Sequence, residues 1–448
     1  LRGWEATVLS ENARVLLVAR DDQLAGTLAE GLDRLGWRTV TARGGQAALL
    51  VLEDMGIEAV IVDVSDAGPD ILPLARTLKQ AYAPRHLPVI ALGRPDQLLE
   101  HWGFDLTLSP PLHPVQAAMR LETVVRAAVA EEEFELRLET FAERGVKLQA
   151  AEASPGPLRI LTVGEPAPKF LALCHALTSH GAEITAALTA YTAFDYLHER
   201  PFDAVVLWAG ETHAEALSIA GGMRRNSRLY HTPTILYLRD GATVELNDAY
   251  NRGLSDVTSA DTAEDETARR VISLARAYRR ETAIRHALET ARGSGLMDTS
   301  TGLFTRELFA THLGRLSTAA RQRRRPLSVA VLRIADRPET IHARQQGALD
   351  RAIPQIGSMI SRLVRAEDTA ARLGHEVFAL ALPAAQAPAA KAAADRIAAV
   401  IACTAFNVGD GQPAFTVDFD LGVAELGREE PAARALERAA SLATARSA

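Results

Sequence analysis

The chain has 448 residues, of which 48% are hydrophobic and 23% charged, and its formal net charge is -7. That length suffices for about three domains of ordinary size, and the acidic balance gives no general attraction for nucleic acid or anionic lipid. With only Cys174 and Cys403, no signal-peptide pattern and no apolar run of the roughly 18 residues that cross a bilayer, neither a structural zinc site nor membrane insertion is expected, and the cytoplasm is the expected compartment.

The opening "LRGWEATVLSENA" has no periodicity and reads as a remnant outside the fold. "ARVLLVARDD" follows, a short run of Val and Leu ending in an acidic pair, as a buried parallel strand would. In "QLAGTLAEGLDRLGW" the spacing of Leu24, Leu28, Leu32 and Leu35 predicts an amphipathic helix. "EAVIVDV" and "LPVIALG" supply further buried strands, so this segment is expected to form a doubly wound parallel sheet.

After the linker "AEASPGP" the scheme repeats, with "PLRILTVGE", "FDAVVLWAG" and "TPTILYLRD" in the same order and at similar spacing. Two copies of one α/β fold are expected, over residues 13–130 and 157–280. Charged helical tracts follow each copy, over 131–156 and 281–297, and suit connecting or dimerising helices. A third α/β domain is expected over 298–448, with strands at "LSVAVLRIA", "VFALALP" and "AFTVDFDLGVAEL". The basic run "RQRRRP", Arg321 to Pro326, is read as a solvated loop rather than a nucleic-acid surface, because no aromatic or basic pattern accompanies it.

Phosphoryl transfer to an aspartate needs a carboxylate at a strand end, an acidic pair for Mg²⁺ and a cation to meet the new charge. In the first copy Asp63 stands at a strand end and Asp21 and Asp22 form the pair. This copy resembles the receiver domain of response regulators, a flavodoxin-like fold. In that comparison Gly93 replaces the family's switch hydroxyl and Ser109 its lysine, so Asp21, Asp22 and Asp63 read either as a Mg²⁺-binding phosphoacceptor site or as a carboxylate relic. The corresponding positions of the second copy are Gly164, Glu165, Trp208, Leu238 and Ala260. Tryptophan cannot accept a phosphoryl group, so this copy is expected to be a packing or docking module with Trp208 plugging the lost pocket.

From "DTSTGLFTR", Asp298 to Arg306, onwards the chain resembles a GGDEF domain, the fold of diguanylate cyclases with a ferredoxin-like core. Gly374, His375, Glu376, Val377 and Phe378 fall where that family's signature belongs. Joining two GTP molecules needs metal-binding carboxylates, close backbone approach and groups that read guanine. Glu376 keeps one metal position, but Arg333 replaces the first aspartate and is expected to pair with Glu376 at best. His375 replaces a glycine, Val377 an ionisable residue, Pro338 a lysine and Ile341 a guanine-reading asparagine, while Asp350 keeps a second guanine-contact position. The resemblance therefore implies a cyclase without catalysis.

Upstream, Arg365-Ala366-Glu367-Asp368 matches R-x-x-D at nine residues before Gly374, the separation at which the family carries its inhibitory site for cyclic di-GMP. A guanidinium can fork onto a phosphate or the guanine O6/N7 edge, and a carboxylate accepts from guanine. Arg396 matches a second arginine that family members use from the next helix.

The three-part order resembles PleD-type response regulators. The spoiled signature beside an intact R-x-x-D resembles their PopA-type relatives more closely. That resemblance implies a homodimeric cyclic di-GMP effector, recruited to the cell pole, that acts as an adaptor in regulated proteolysis for cell-cycle control. A phosphorylation-responsive scaffold working through Asp63 and a residual cyclase are the alternatives.

Overall fold

The computed structural model describes residues 13–20, 22–65, 71–93, 102–109, 113–152, 154–407 and 414–445, with the backbone alone for 22–25. It divides into two compact units. The first comprises Leu1–Ala128 and Ala153–Ala283, the second Val129–Glu152 and Ile284–Ala448.

The first unit holds two parallel sheets of one design. Strands β1 (Arg14–Val18), β2 (Arg38–Ala42), β3 (Ala59–Asp63), β4 (Val89–Leu92) and β5 (Leu106–Leu108) lie in the order β2-β1-β3-β4-β5. Strands β6 (Arg159–Val163), β7 (Glu183–Ala187), β8 (Ala204–Ala209), β9 (Thr234–Leu238) and β10 (Asp256–Ser259) repeat it as β10-β9-β8-β6-β7. Central strands buried on both faces explain the unbroken apolar runs: every residue of "VIAL" in β4 and of "TILYL" in β9 is buried. The helix Asp22–Arg34 buries Leu28 and Leu32, as its spacing predicts; the side chain of Leu24 lies outside the described residues.

The two copies join through the helix Pro114–Glu143, whose first turns seat Val115 and Met119 in the core of the second copy beside Leu217, Leu236 and Tyr250. Gly31 permits this, since a Cβ there would stand 2.7 Å from the Pro114 ring. A buried ion cluster fastens the joint. Asp256, at the start of β10, accepts from Arg270 Nη2 at 2.7 Å, Arg120 Nη2 at 3.1 Å and Gln116 Nε2 at 2.9 Å.

The second unit is a mixed sheet in the order β11-β13-β14-β12-β15, made of β11 (Phe304–Thr305), β12 (Leu327–Ile334), β13 (Thr369–Gly374), β14 (Val377–Pro383) and β15 (Phe419–Glu425). Strand β12 pairs antiparallel with both β14 and β15, and β13 with β14. With the helices Ala348–Leu363 and Ala387–Ala402 as crossovers, this is a βαββαβ arrangement of ferredoxin-like type. Residues 129–152 belong to this unit: Phe141 packs edge-on against Phe304 at 5.5 Å, within a core that includes Leu148, Leu308 and Ala379.

The basic run corrects an expectation. Arg321 and Arg323 complete the helix Arg306–Arg323; Arg323 and Arg325 converge on the buried carboxylate of Glu132, and Arg321 donates to the carbonyls of Arg428 and Glu430. Arg321, Gln322 and Arg324 are exposed, as a solvated stretch would be, while the helical end and the Arg323 and Arg325 ties to Glu132 were not expected.

Candidate functional site

At the carboxyl edge of the first sheet, Asp63 ends β3 and its Oδ1 accepts from the backbone N–H of Ser65 at 3.0 Å. Asp21 and the side chain of Asp22 lie outside the described residues, so the expected Mg²⁺ trio is represented by Asp63 alone. Gly93 follows β4 with φ 156°, and a Cβ there would stand 2.9 Å from Val64 Cγ2, so no hydroxyl-bearing side chain fits without displacement.

The same edge of the second sheet is filled by aromatic rings. Trp208 stacks on Phe170 at 5.5 Å and leans on Tyr237 at 5.3 Å. Gly164 has φ 137°, and a Cβ there would stand 2.8 Å from Trp208 Cβ. Glycine at that position is the counterpart of tryptophan at the other. Burial, with Glu264 and Asp240 nearby, pushes the Tyr237 hydroxyl up to about 12, so Tyr237 stays neutral within the ring cluster.

In the second unit, "DTSTGLFTR" folds into a tight loop. Asp298 Oδ1 accepts from the Thr301 N–H at 2.8 Å and the Thr301 hydroxyl at 2.7 Å, and Arg372 of β13 meets the same carboxylate at 3.3 Å. Burial pushes the Asp298 carboxyl up, but the Thr301 and Arg372 donors outweigh it and hold it below the usual carboxylate range. Thr305 caps the following helix, accepting from the Leu308 N–H at 3.4 Å.

His375 and Glu376 occupy the turn between β13 and β14, beside the end of β12, where Arg333 pairs with Val377 in register. Glu376 does not pair with Arg333, against expectation. It is gripped by Arg344, from the helix Pro338–Gln345, through Nε–Oε1 at 2.8 Å and Nη2–Oε2 at 2.6 Å. Arg344 also meets Asp336 at 3.0 Å. Arg333 turns instead to Asp420 of β15 at 3.1 Å, with Asp336 at 3.6 Å. The register explains the change, because Arg333 lies opposite Asp420 on one side of β12 and Val377 on the other. His375 reaches Asp350 at 3.0 Å. Phe378 is fully buried and meets Phe419 edge-on.

A divalent metal does not fit this set. The Glu376 carboxylate is held by the bidentate Arg344 guanidinium, whose charge would repel the ion, and Arg333 at the end of β12 is itself a cation engaged with Asp420. Among the described residues no group of three or more His, Cys, Asp or Glu side chains is placed to hold a metal.

Beyond the helix Ala348–Leu363 the chain makes a tight turn at Arg365–Asp368. Asp368 Oδ2 accepts from the Arg365 N–H at 3.0 Å, and the Asp368 N–H donates to the Arg365 carbonyl at 3.2 Å. The Asp368 carbonyl accepts from Arg137 Nη2 at 3.0 Å. Next to it, the Thr369 hydroxyl donates to Glu133 Oε1 at 2.9 Å, which also meets Arg137 Nε at 3.1 Å and His312 Nε2 at 2.8 Å. Arg365 and Asp368 thus sit together, fastened from behind by residues 129–143. Arg396 is half-buried on the helix Ala387–Ala402, which packs beside the helix that ends before the turn. Sequence reasoning missed Arg344, Asp336, Asp420, Arg137 and Glu133. None belongs to a motif, and their partners are set only by the folded register.

Residues 295–447 match the family model of the diguanylate cyclase, GGDEF domain. The whole chain is similar to response regulator PleD of Caulobacter vibrioides, 23% identical over 433 residues that cover 95% of this chain and 94% of that protein. Among solved structures, the GGDEF domain of DgcB from Caulobacter crescentus in complex with c-di-GMP is 24% identical and aligns 34% of this chain with 86% of its own at a TM-score of 0.32. The FimX GGDEF domain from Pseudomonas aeruginosa is 22% identical, covering 34% of this chain and 93% of its own, with a TM-score of 0.31. Among the described residues no helix is long and apolar enough to cross a membrane.

Proposed function

We propose that this protein is a cyclic di-GMP effector of the PleD type whose GGDEF domain binds the dinucleotide at Arg365 and Asp368, with Arg396 from the neighbouring helix, and makes none. The observation that carries this reading is the contrast between two sites of one domain. Glu376 is neutralised by the Arg344 fork where a cyclase needs an open carboxylate for metal. The Arg365–Asp368 turn keeps both residue types together in a hydrogen-bonded loop. The similarity to response regulator PleD supports assigning the two parallel sheets to receiver domains over 13–130 and 157–280, with the GGDEF domain over 298–448.

On this reading the arginine supplies a fork for a phosphate or a guanine edge, and the carboxylate takes guanine N–H donors. Bound ligand favours whichever arrangement of the chain binds it better, a homodimer included, and so alters surfaces offered to protein partners. Adaptor activity in regulated proteolysis at the cell pole is the physiological form this takes among the PopA-type relatives. Calorimetric titration of the full chain with cyclic di-GMP tests the reading: the expected result is micromolar or tighter binding that disappears in Arg365→Ala. Absence of heat from the wild type would remove it.

A second reading is favoured by Asp63, which ends the central strand β3 at the carboxyl edge where phosphoacceptors sit. A scaffold responding to phosphorylation there would change its association state with beryllofluoride in light scattering. The lack of room for a hydroxyl side chain at Gly93 counts against signal output from that site.

A further inference from the structure

We infer that the dinucleotide site extends beyond the Arg365–Asp368 turn across an arginine-lined concavity, in which Arg292 and Arg362 hold ligand phosphate. The inference rests on the reading of Arg365 and Asp368 as the cyclic di-GMP site.

The concavity lies wholly within the second unit and has an empty volume of about 670 Å³. That space is continuous with open solvent, so the concavity is a surface groove rather than an enclosed cavity. Its lining includes Arg137, Arg285, Arg292, Arg362 and Arg365, against the two carboxylates Glu289 and Asp368. Arg292 meets Glu289 at 3.9 Å and Arg137 meets Glu133 at 3.1 Å, so part of the wall's charge is balanced within the protein, and a ligand phosphate would add charge-assisted contacts to the guanidiniums.

The arginines divide by what they touch. Arg137 is fully buried and turned inward, to Glu133 and the Asp368 carbonyl, so it supports the wall from behind. Arg285 Nη2 stands 3.4 Å from the Val364 carbonyl, at the residue before Arg365. Arg292, in the single turn Arg292–Ser294 after the helix Glu264–Glu289, lies over Gly302 of the "DTSTGLFTR" loop. Gly302 has φ 70°, and a Cβ there would stand 2.6 Å from Arg292 Nε, so the glycine leaves the space that this guanidinium occupies. Arg362 is exposed on the last turn of the helix Ala348–Leu363, three residues before Arg365. Met297, Leu303, Phe304 and Ala366 supply apolar surface between them. Guanidiniums around an apolar floor suit a ligand with two phosphates and flat bases, since arginine both forks onto phosphate and stacks on rings.

The test is calorimetry of the full chain with cyclic di-GMP, using wild type, Arg365→Ala, Arg292→Ala, Arg292→Lys and Arg362→Ala, with thermal unfolding of each. Loss of one charge-assisted hydrogen bond weakens binding by about ten- to a hundredfold. Arg292→Ala is expected to show that loss and a shallower dependence on salt, with unchanged melting and partial recovery in Arg292→Lys. Should Arg292→Ala disturb folding, the exposed Arg362→Ala carries the test with the same expected loss. If Arg365→Ala abolishes binding while Arg292→Ala and Arg362→Ala bind as wild type does, the extended wall is wrong and the reading of Arg365 survives. If the wild type binds nothing, both fall.

Discussion

Arg344 closes a two-pronged fork on Glu376, at 2.8 Å and 2.6 Å, and the same guanidinium holds Asp336 at 3.0 Å. The Glu376 hydrogen bonds, with Asp336 in addition, raise the Arg344 pKa further above its already high value, so the guanidinium stays charged and held on Glu376 at neutral pH. Incubation with GTP and Mg²⁺ or Mn²⁺ is therefore expected to give no cyclic di-GMP by chromatography. Arg344→Ala is expected to stay inactive as well, because Arg333 and Val377 remain where metal and polar groups are needed. Product that vanishes on Glu376→Ala would overturn this.

Asp256 is the buried centre of the joint between the two parallel sheets. Burial pushes its carboxyl up, but Arg120 and Arg270 more than offset that and leave it below the usual range. A folded pKa below the unfolded one adds stability at pH above the unfolded value, about 4, and loses it as the pH falls through the folded value. Asp256→Asn is expected to cost about 3–5 kcal/mol at pH 7, since two guanidiniums lose their partner. It should also flatten the fall in stability below about pH 4. Denaturant titrations of both proteins across that range check the sign; parallel curves would contradict it.

Gly164→Ala is expected to destabilise the second sheet. The residue would adopt φ 137°, and its methyl would stand 2.8 Å from Trp208 Cβ. Strain of that kind costs about 1–3 kcal/mol. Chemical denaturation followed by tryptophan fluorescence measures it, and an unchanged midpoint would show that the ring stack yields.

The two parallel sheets were legible because buried strands are written as unbroken apolar runs: "RVLLV", "AVIVD" and "TILYL" announce themselves without a partner. Trp208 was legible as a packing residue because a large ring at the end of a buried strand is stabilised by apolar neighbours, here Phe170 and Tyr237. What stayed hidden is pairing across long separations. Arg333 looked like the partner of Glu376, yet register placed Asp420 opposite it and brought Arg344 from a helix 32 residues before Glu376. "RQRRRP" looked solvated because its counter-charge, Glu132, stands 193 residues before Arg325. The Arg365–Asp368 pairing rests on three residues of spacing and survived folding as a single turn.

The same buried cluster that fastens this turn predicts how a ligand there would be felt. Glu133 Oε1 receives Thr369, Arg137 and His312, and the Thr140 hydroxyl stands 3.0 Å from His312 Nδ1, so one stretch of helix holds both the turn and the helix Arg306–Arg323. Burial pushes the Glu133 carboxyl up, but His312 and Arg137 outweigh it and keep the group ionised. On the proposed reading, a dinucleotide that ordered Arg365 and Asp368 would stiffen the backbone of 129–143 through Arg137, whose Nη2 holds the Asp368 carbonyl. Hydrogen exchange is expected to slow across 129–143 when cyclic di-GMP is added. Arg137→Met keeps the packing volume but removes both donors; it should cost about 3–5 kcal/mol by leaving Glu133 underpaired and should abolish the ligand-dependent protection. Protection that persists in the variant would mean that the turn and the helix respond to ligand independently.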